Sequence, residues 1–195
     1  MATPDPHSLP VLTIDFDGVI CSPPFGLNLG ISRTLLDPDA PARRAFVPPR
    51  WLGEWWDRLR YDFRRPLPEA REALARLSRR RRVVVLTGRR SSPSRWLQRH
   101  GMSHFVDEVL INQSADRSPH YKLRLVRELD AAEHVEDDGR TAQLLAQRSR
   151  LRVYLRDWPR NRDLPLVPGI TRVANLLDVA RLIEAEEGRH GDATT

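Results

Sequence analysis

Lysine is almost missing from this chain. Lysine and arginine together number 32, and Lys122 is the single lysine, which leaves 31 arginines. Cysteine is as scarce. Cys21 stands alone, which excludes a disulfide framework and fits a reducing compartment. No apolar run approaches the roughly 20 residues a membrane-spanning helix needs. Residues 1–10 lack the cationic start and apolar stretch of a secretory signal, so a soluble, cytoplasmic protein with no membrane partner is expected. Aromatic residues make up only 7% of the chain, yet Trp51, Trp55, Trp56, Tyr61 and Phe63 crowd into one short stretch. No internal repeat or low-complexity tract is visible. At 195 residues and 40% hydrophobic, the chain has the size and apolar content of one domain, or of one domain carrying an insertion.

Positive charge is in excess. The formal net charge is +6, which suits nucleic acid or small acidic molecules as partners. The densest run, Arg79 to Arg82, falls where a helix is predicted to end and a strand to begin, where cations complement the helix C-terminus.

The most informative stretch is Val11 to Ile20. Strand-forming residues run into Asp15 and Asp17, with Gly18 supplying backbone freedom for a sharp exit. Residues two apart in a strand share a face, roughly 6–7 Å apart. Two carboxylates so placed repel each other, and a divalent metal, a shared proton or a nearby cation must offset that. A second apolar run, Val83 to Leu86, reads as a strand buried on both faces and ends in Thr87 and Gly88. A hydroxyl beside exposed backbone N–H groups at a strand's carboxyl end suits a phosphoryl oxygen.

Lys122 falls in the first turn of a helix predicted over 121–131. A compact ammonium fits between a carboxylate and a phosphate where a planar guanidinium is crowded. Residues 133–136 read as a further strand that runs into Glu136, Asp137 and Asp138, then Gly139 and a helix. Hard oxygen ligands in this number suit Mg²⁺.

These four pieces, in this order, resemble the haloacid dehalogenase (HAD) superfamily of phosphohydrolases. Asp15 to Gly18 match its Asp-x-Asp-Gly motif, Thr87 its strand-ending hydroxyl, Lys122 its lone basic residue, and Asp137 with Asp138 its acidic pair. The segments Asp157 to Arg162 and Ile170 to Val173 look like the end of the 5′(3′)-deoxyribonucleotidase-like branch. The resemblance implies an α/β fold, a Rossmannoid parallel sheet flanked by helices with a small helical cap inserted after the first strand. Residues 1–20 and 67–187 would form the core and 21–66 the cap, and 188–195 are expected to be a disordered tail. Within the cap, helices are expected over 32–36 and 49–61, and Trp51, Trp55 and Trp56 on the second form either the cap's own small core or a substrate-facing wall. The resemblance further implies Asp15 as nucleophile and Asp17 as general acid and base. Thr87, Gly88 and Lys122 would hold phosphate. Mg²⁺ would bind through Asp15, Asp17 and Asp138, with Asp137 close behind. Glu136 is a third acid in that loop, and the sequence leaves open which of the three meets the metal. The expected substrate is a small phosphomonoester, foremost a nucleoside monophosphate. The alternatives are a polynucleotide-end phosphatase and a non-catalytic phosphate-binding protein on the same fold.

Overall fold

The computed structural model describes residues 9–23, 36–37, 41, 44 and 64–192. Apart from Leu36, which is not helical, the helices expected over 32–36 and 49–61 lie outside the described residues, and Trp51, Trp55 and Trp56 with them. The described chain alternates strand and helix: β1 Val11–Ile14, α1 Ala70–Leu77, β2 Arg82–Thr87, α2 Ser94–Arg99, β3 Glu108–Ile111, α3 Ser118–Glu128, β4 Glu133–Glu136, α4 Gly139–Arg148, β5 Arg152–Arg156, β6 Ile170–Val173 and α5 Leu176–Asp192. All strand pairs are parallel, and the sheet order is β3-β2-β1-β4-β5-β6. The chain therefore builds outward from β1 to β3 on one side, then crosses to place β4 on the other. That reversal opens a crevice at the carboxyl ends of β1 and β4, where ligands bind in open α/β sheets.

Alternation along the strands sets the two layers. Leu12, Ile14, Val83, Val85 and Tyr154 join Leu74, Leu77, Val179 and Ile183 in one core, under α1 and α5. Leu86, Val153 and Leu155 join Tyr121, Val126 and Leu145 in the other, under α3 and α4. Each fully buried aliphatic side chain contributes about 1.5–3 kcal/mol, so both faces stabilise the packing of the sheet against its helices.

Three arginines of the 79–82 run, Arg80 to Arg82, are spent on ion pairs. Arg80 meets Glu187 at 2.6 Å, Arg81 meets Glu133 at 2.6 Å and also Glu187, and Arg82 meets Glu108 at 2.8 Å. Arg76 adds a two-pronged contact to Glu184, tying α1 to α5.

Some elements differ from the sequence reading. α3 begins at Ser118, before the expected start, because Pro119 sits in the first turn where its missing N–H costs nothing. Lys122 thus lies in the second turn. β3 starts at Glu108, after a 3₁₀ turn at Ser103–Phe105. Residues Ile170–Val173 form an edge strand, β6, that the sequence reading did not place as a strand. α5 continues past Gly188 to Asp192, into the stretch expected to be disordered.

The insertion after β1 leaves and returns at one spot. Cys21 bridges Pro66 in antiparallel fashion, Ser22 N–H donates to the Arg65 carbonyl at 3.0 Å, and Leu67 N–H donates to the Ile20 carbonyl at 2.9 Å. Within the insertion, Arg44 bridges Asp116.

Candidate active site

The crevice is a cavity of about 330 Å³ lined by Asp15, Asp17, Thr87, Lys122, Glu136 and Asp137, among others. Asp15 follows directly on β1, and its N–H continues the ladder to the Val135 carbonyl at 2.9 Å. This fixes its carboxylate beside the end of β4. Gly18 turns the chain with φ +76°, and a Cβ there would overlap the Asp137 carboxylate. The positive φ and the close approach both require glycine. Thr87 ends β2, buried, and its Oγ1 accepts from Arg89 N–H at 3.3 Å. Gly88 leaves room for Ser118, whose hydroxyl a Cβ would strike.

Lys122 is the electrostatic centre. Its Nζ lies 2.9 Å from Asp15 and 2.7 Å from Glu136. Burial disfavours the ammonium, but Asp15 and Glu136 outweigh it and hold the lysine above its ordinary range. Glu136 is fully engaged. One oxygen accepts from the N–H groups of Asp137 and Asp138 at 3.0 and 3.1 Å, and the other meets Lys122 and His134. Burial pushes its carboxyl up, but Lys122 and His134 bring it below the ordinary carboxylate range. His134 bridges deeper, with Nδ1 2.8 Å from Thr13 Oγ1, and burial lowers its pKa.

The other two buried acids behave oppositely. Burial raises Asp15 well above the usual range, with Lys122 opposing and the neighbouring acids adding to the rise. Asp137 is pushed up to about 7, chiefly by burial, against the pull of Arg160. Carboxylate oxygens of Asp15, Glu136 and Asp137 lie within 4.8 Å of one another. This all-oxygen donor set, three carboxylates facing Lys122 and Arg160, fits a hard divalent cation.

Asp138 faces differently. Its carboxylate accepts from Thr141 Oγ1 at 2.7 Å and from Arg140 at 3.3 Å, as the N-cap residue of α4. It lines the cavity but does not join the three-acid cluster. Asp17 also stands apart from that cluster. It pairs with Arg64, whose Nε donates to the Ser22 carbonyl, and Arg89 lies 3.8 Å away over the Phe16 ring.

Sequence reasoning passed over Glu136 as the hub and over Arg64, Arg89, Ser118, Arg140, Arg160 and Asn161. Asn161 Nδ2 donates to the Asp137 carbonyl at 2.7 Å, and Arg160 contacts the same residue. The Asp157–Arg162 pattern is the sequence signal that reaches these two.

No protein-family model matches the sequence, and a search of curated proteins finds no match. Solved structures match in shape. A haloacid dehalogenase-like hydrolase from Xanthomonas campestris superposes with TM-score 0.56 at 12% identity, covering 95% of this chain and 100% of that one. A haloacid dehalogenase-like hydrolase from Streptococcus pneumoniae gives TM-score 0.58 at 11% identity, covering 91% and 99%. The fold is haloacid dehalogenase-like. D,D-heptose 1,7-bisphosphate phosphatase from B. bronchiseptica, in complex with magnesium and phosphate, shares this HAD-like fold with TM-score 0.55 at 18% identity, covering 91% and 99%. No helix among the described residues is long and apolar enough to cross a membrane.

Proposed function

We propose that this protein is a metal-dependent phosphomonoester hydrolase that works through an aspartyl-phosphate, with a nucleoside monophosphate as the foremost substrate. The observation that carries this reading is the single buried ammonium of Lys122, 2.9 Å from Asp15 and beside Thr87 in one cavity. The HAD-like fold and the phosphatases that share it support the same chemistry.

In this reading an Asp15 oxygen attacks phosphorus and the bond to the leaving oxygen breaks. Asp17 gives that oxygen a proton, then takes one from the water that cleaves the acyl-phosphate. Lys122, the Thr87 hydroxyl and the Gly88 N–H hold the equatorial oxygens as charge develops. Arg64 and Arg89 keep Asp17 aimed at the cavity. A Mg²⁺ ion would be held by Asp15 and Asp137, since Glu136 already accepts four hydrogen bonds and Asp138 is engaged by Thr141 and Arg140. When bound, it supplies Lewis-acid polarisation and offsets carboxylate repulsion.

Charge balance favours a substrate with one phosphate. Asp15, Asp17, Glu136, Asp137 and Asp138 are matched in formal charge by Arg64, Arg89, Lys122, Arg140 and Arg160 around the cavity. A divalent cation and a phosphomonoester dianion then cancel, whereas a second anionic group would not. Small substrates are also favoured over polynucleotide ends, because Arg76, Arg80, Arg81 and Arg82 are already engaged in ion pairs.

The test is hydrolysis of an aryl phosphate with and without Mg²⁺, followed by a panel of nucleotides and sugar phosphates. Turnover should require the metal and fall by several orders of magnitude in Asp15→Asn. Metal-independent turnover, or turnover that survives Asp15→Asn, overturns the reading. A preference for sugar phosphates over all nucleotides overturns the nucleotide assignment alone. Steep loss of activity on oligonucleotide ends with added salt would mark polyanion binding instead.

A further inference from the structure

Arg160 has an odd place. It sits in the 3₁₀ turn Pro159–Asn161, its side chain 13% exposed, and a single nitrogen, Nη2, makes its hydrogen bonds. Nη2 donates to the Asp137 carbonyl at 2.7 Å and to the Asp137 carboxylate at 2.6 Å. Nε and Nη1 are buried with no hydrogen-bond partner among the described residues. A guanidinium normally satisfies its fork with a two-pronged contact. Here both of its hydrogen bonds go to one residue, Asp137.

Arg160 is not needed to place the backbone of Asp137. Asn161 Nδ2 holds the Asp137 carbonyl at 2.7 Å and the Arg156 carbonyl at 3.1 Å, and Asn161 Oδ1 accepts from Gly139 N–H at 3.3 Å. The Asp137 N–H is held by Glu136 at 3.0 Å. The backbone of the acidic loop is thus anchored on both sides by neutral or acidic groups, without the guanidinium.

We propose that Arg160 is a built-in competitor for the divalent cation, a tethered positive charge that occupies Asp137 and weakens metal binding there. This rests on the reading that a metal binds at Asp15 and Asp137. Arg160 and a hard cation seek the same carboxylate, and two cations so close repel strongly in a buried site. Metal entry therefore displaces Arg160 from Asp137. The site is tuned to fill only when the cation is abundant.

The test measures metal affinity directly, with no substrate. Mn²⁺ is titrated into the whole protein and followed by calorimetry and by the free-ion electron paramagnetic resonance signal. Arg160→Met keeps the buried volume and removes the charge, while Arg160→Lys keeps the charge. Arg160→Met should bind Mn²⁺ at least tenfold more tightly, with Arg160→Lys within threefold of the parent. Arg160→Gln is read in the same way if the Met variant does not fold. Equal or weaker Mn²⁺ binding in the neutral variants overturns the proposal and makes Arg160 an orienting residue for Asp137. A parent protein that binds no Mn²⁺ overturns it as well. Tighter binding in Arg160→Met, with no phosphomonoester turnover in any variant, leaves this inference standing and removes the hydrolase reading.

Discussion

Lys122 occupies a position that suits no arginine. Its Nζ touches Asp15 and Glu136 with the side chain 4% exposed, and a planar fork would have to push one of those carboxylates aside. Lys122→Arg should keep the fold and lose at least about a hundredfold in turnover. Lys122→Met removes the charge and leaves two buried acids facing each other, a change that costs about 3–5 kcal/mol when a buried pair is broken. Thermal melts and aryl phosphate kinetics on both variants check this, and near-parental turnover in both would place the lysine outside the chemistry. Gly18 is a second fixed point. Its φ of +76° and the Asp137 carboxylate behind it leave no room for a methyl group. Gly18→Ala is expected to displace Asp137, and its signature is a weakened metal affinity out of proportion to any loss of melting temperature.

At the level of elements, α1 and α5 are joined by charge as well as by Leu74, Leu77, Val179 and Ile183. The hydrogen bond from Arg76 holds the Glu184 carboxyl below its ordinary range. Burial pushes Glu187 up, but hydrogen bonds from Arg81 and Arg80 bring it below that range. A carboxyl whose folded pKa is depressed adds stability above its unfolded pKa of about 4.3, and that stability is lost as pH falls through the folded value. The melting temperature should therefore drop between pH 5 and pH 3. The variant Glu184→Gln/Glu187→Gln should melt lower than the parent at pH 7 and lose less on acidification. Parallel pH curves for the two proteins would show that these acids do not set the acid limit.

Elements with a strong local signal were legible in the sequence. The apolar runs before Asp15 and Thr87 carry their own strand pattern, and Glu133–Glu136 falls at the positions read for it. β6 was not, because Ile170 to Val173 is a half-exposed edge strand without a buried apolar run. The same limit applies within the site. Asp15, Thr87 and Lys122 stand at the ends or faces of such elements and share one cavity. Arg64, Arg89 and Arg160 act by long-range contact, and in a chain with so many arginines nothing local separates them from the rest.

For the whole molecule, the proposed metal site predicts a stability that depends on metal. Burial raises both Asp15 and Asp137, so the unliganded site holds carboxyls that a cation would satisfy. A ligand that binds only the folded state at a hundred times its dissociation constant adds about 2.7 kcal/mol. Mg²⁺ or Mn²⁺ should raise the melting temperature, EDTA should reverse the rise, and Asp15→Asn should abolish it. That variant should also melt above the parent in EDTA, since it removes one like charge. A melting temperature indifferent to metal in the parent contradicts the assignment of the site.

Because residues 20–22 and 65–67 are hydrogen-bonded to each other, the sheet is indifferent to how much chain runs between them. Doubling the length of such a loop adds only about 0.6 kcal/mol of closure entropy. On the proposed reading, the insertion should be exchangeable like a cartridge, altering what enters the crevice while the acids and Lys122 stay seated. Replacing residues 24–63 with a short Gly-Ser linker, and keeping Arg64 for its contacts with Asp17 and Ser22, should give a folded protein that melts within a few degrees of the parent. It should still hydrolyse a small aryl phosphate and should no longer discriminate among nucleotides. Collapse of the fold on excision would mean the cartridge is part of the frame.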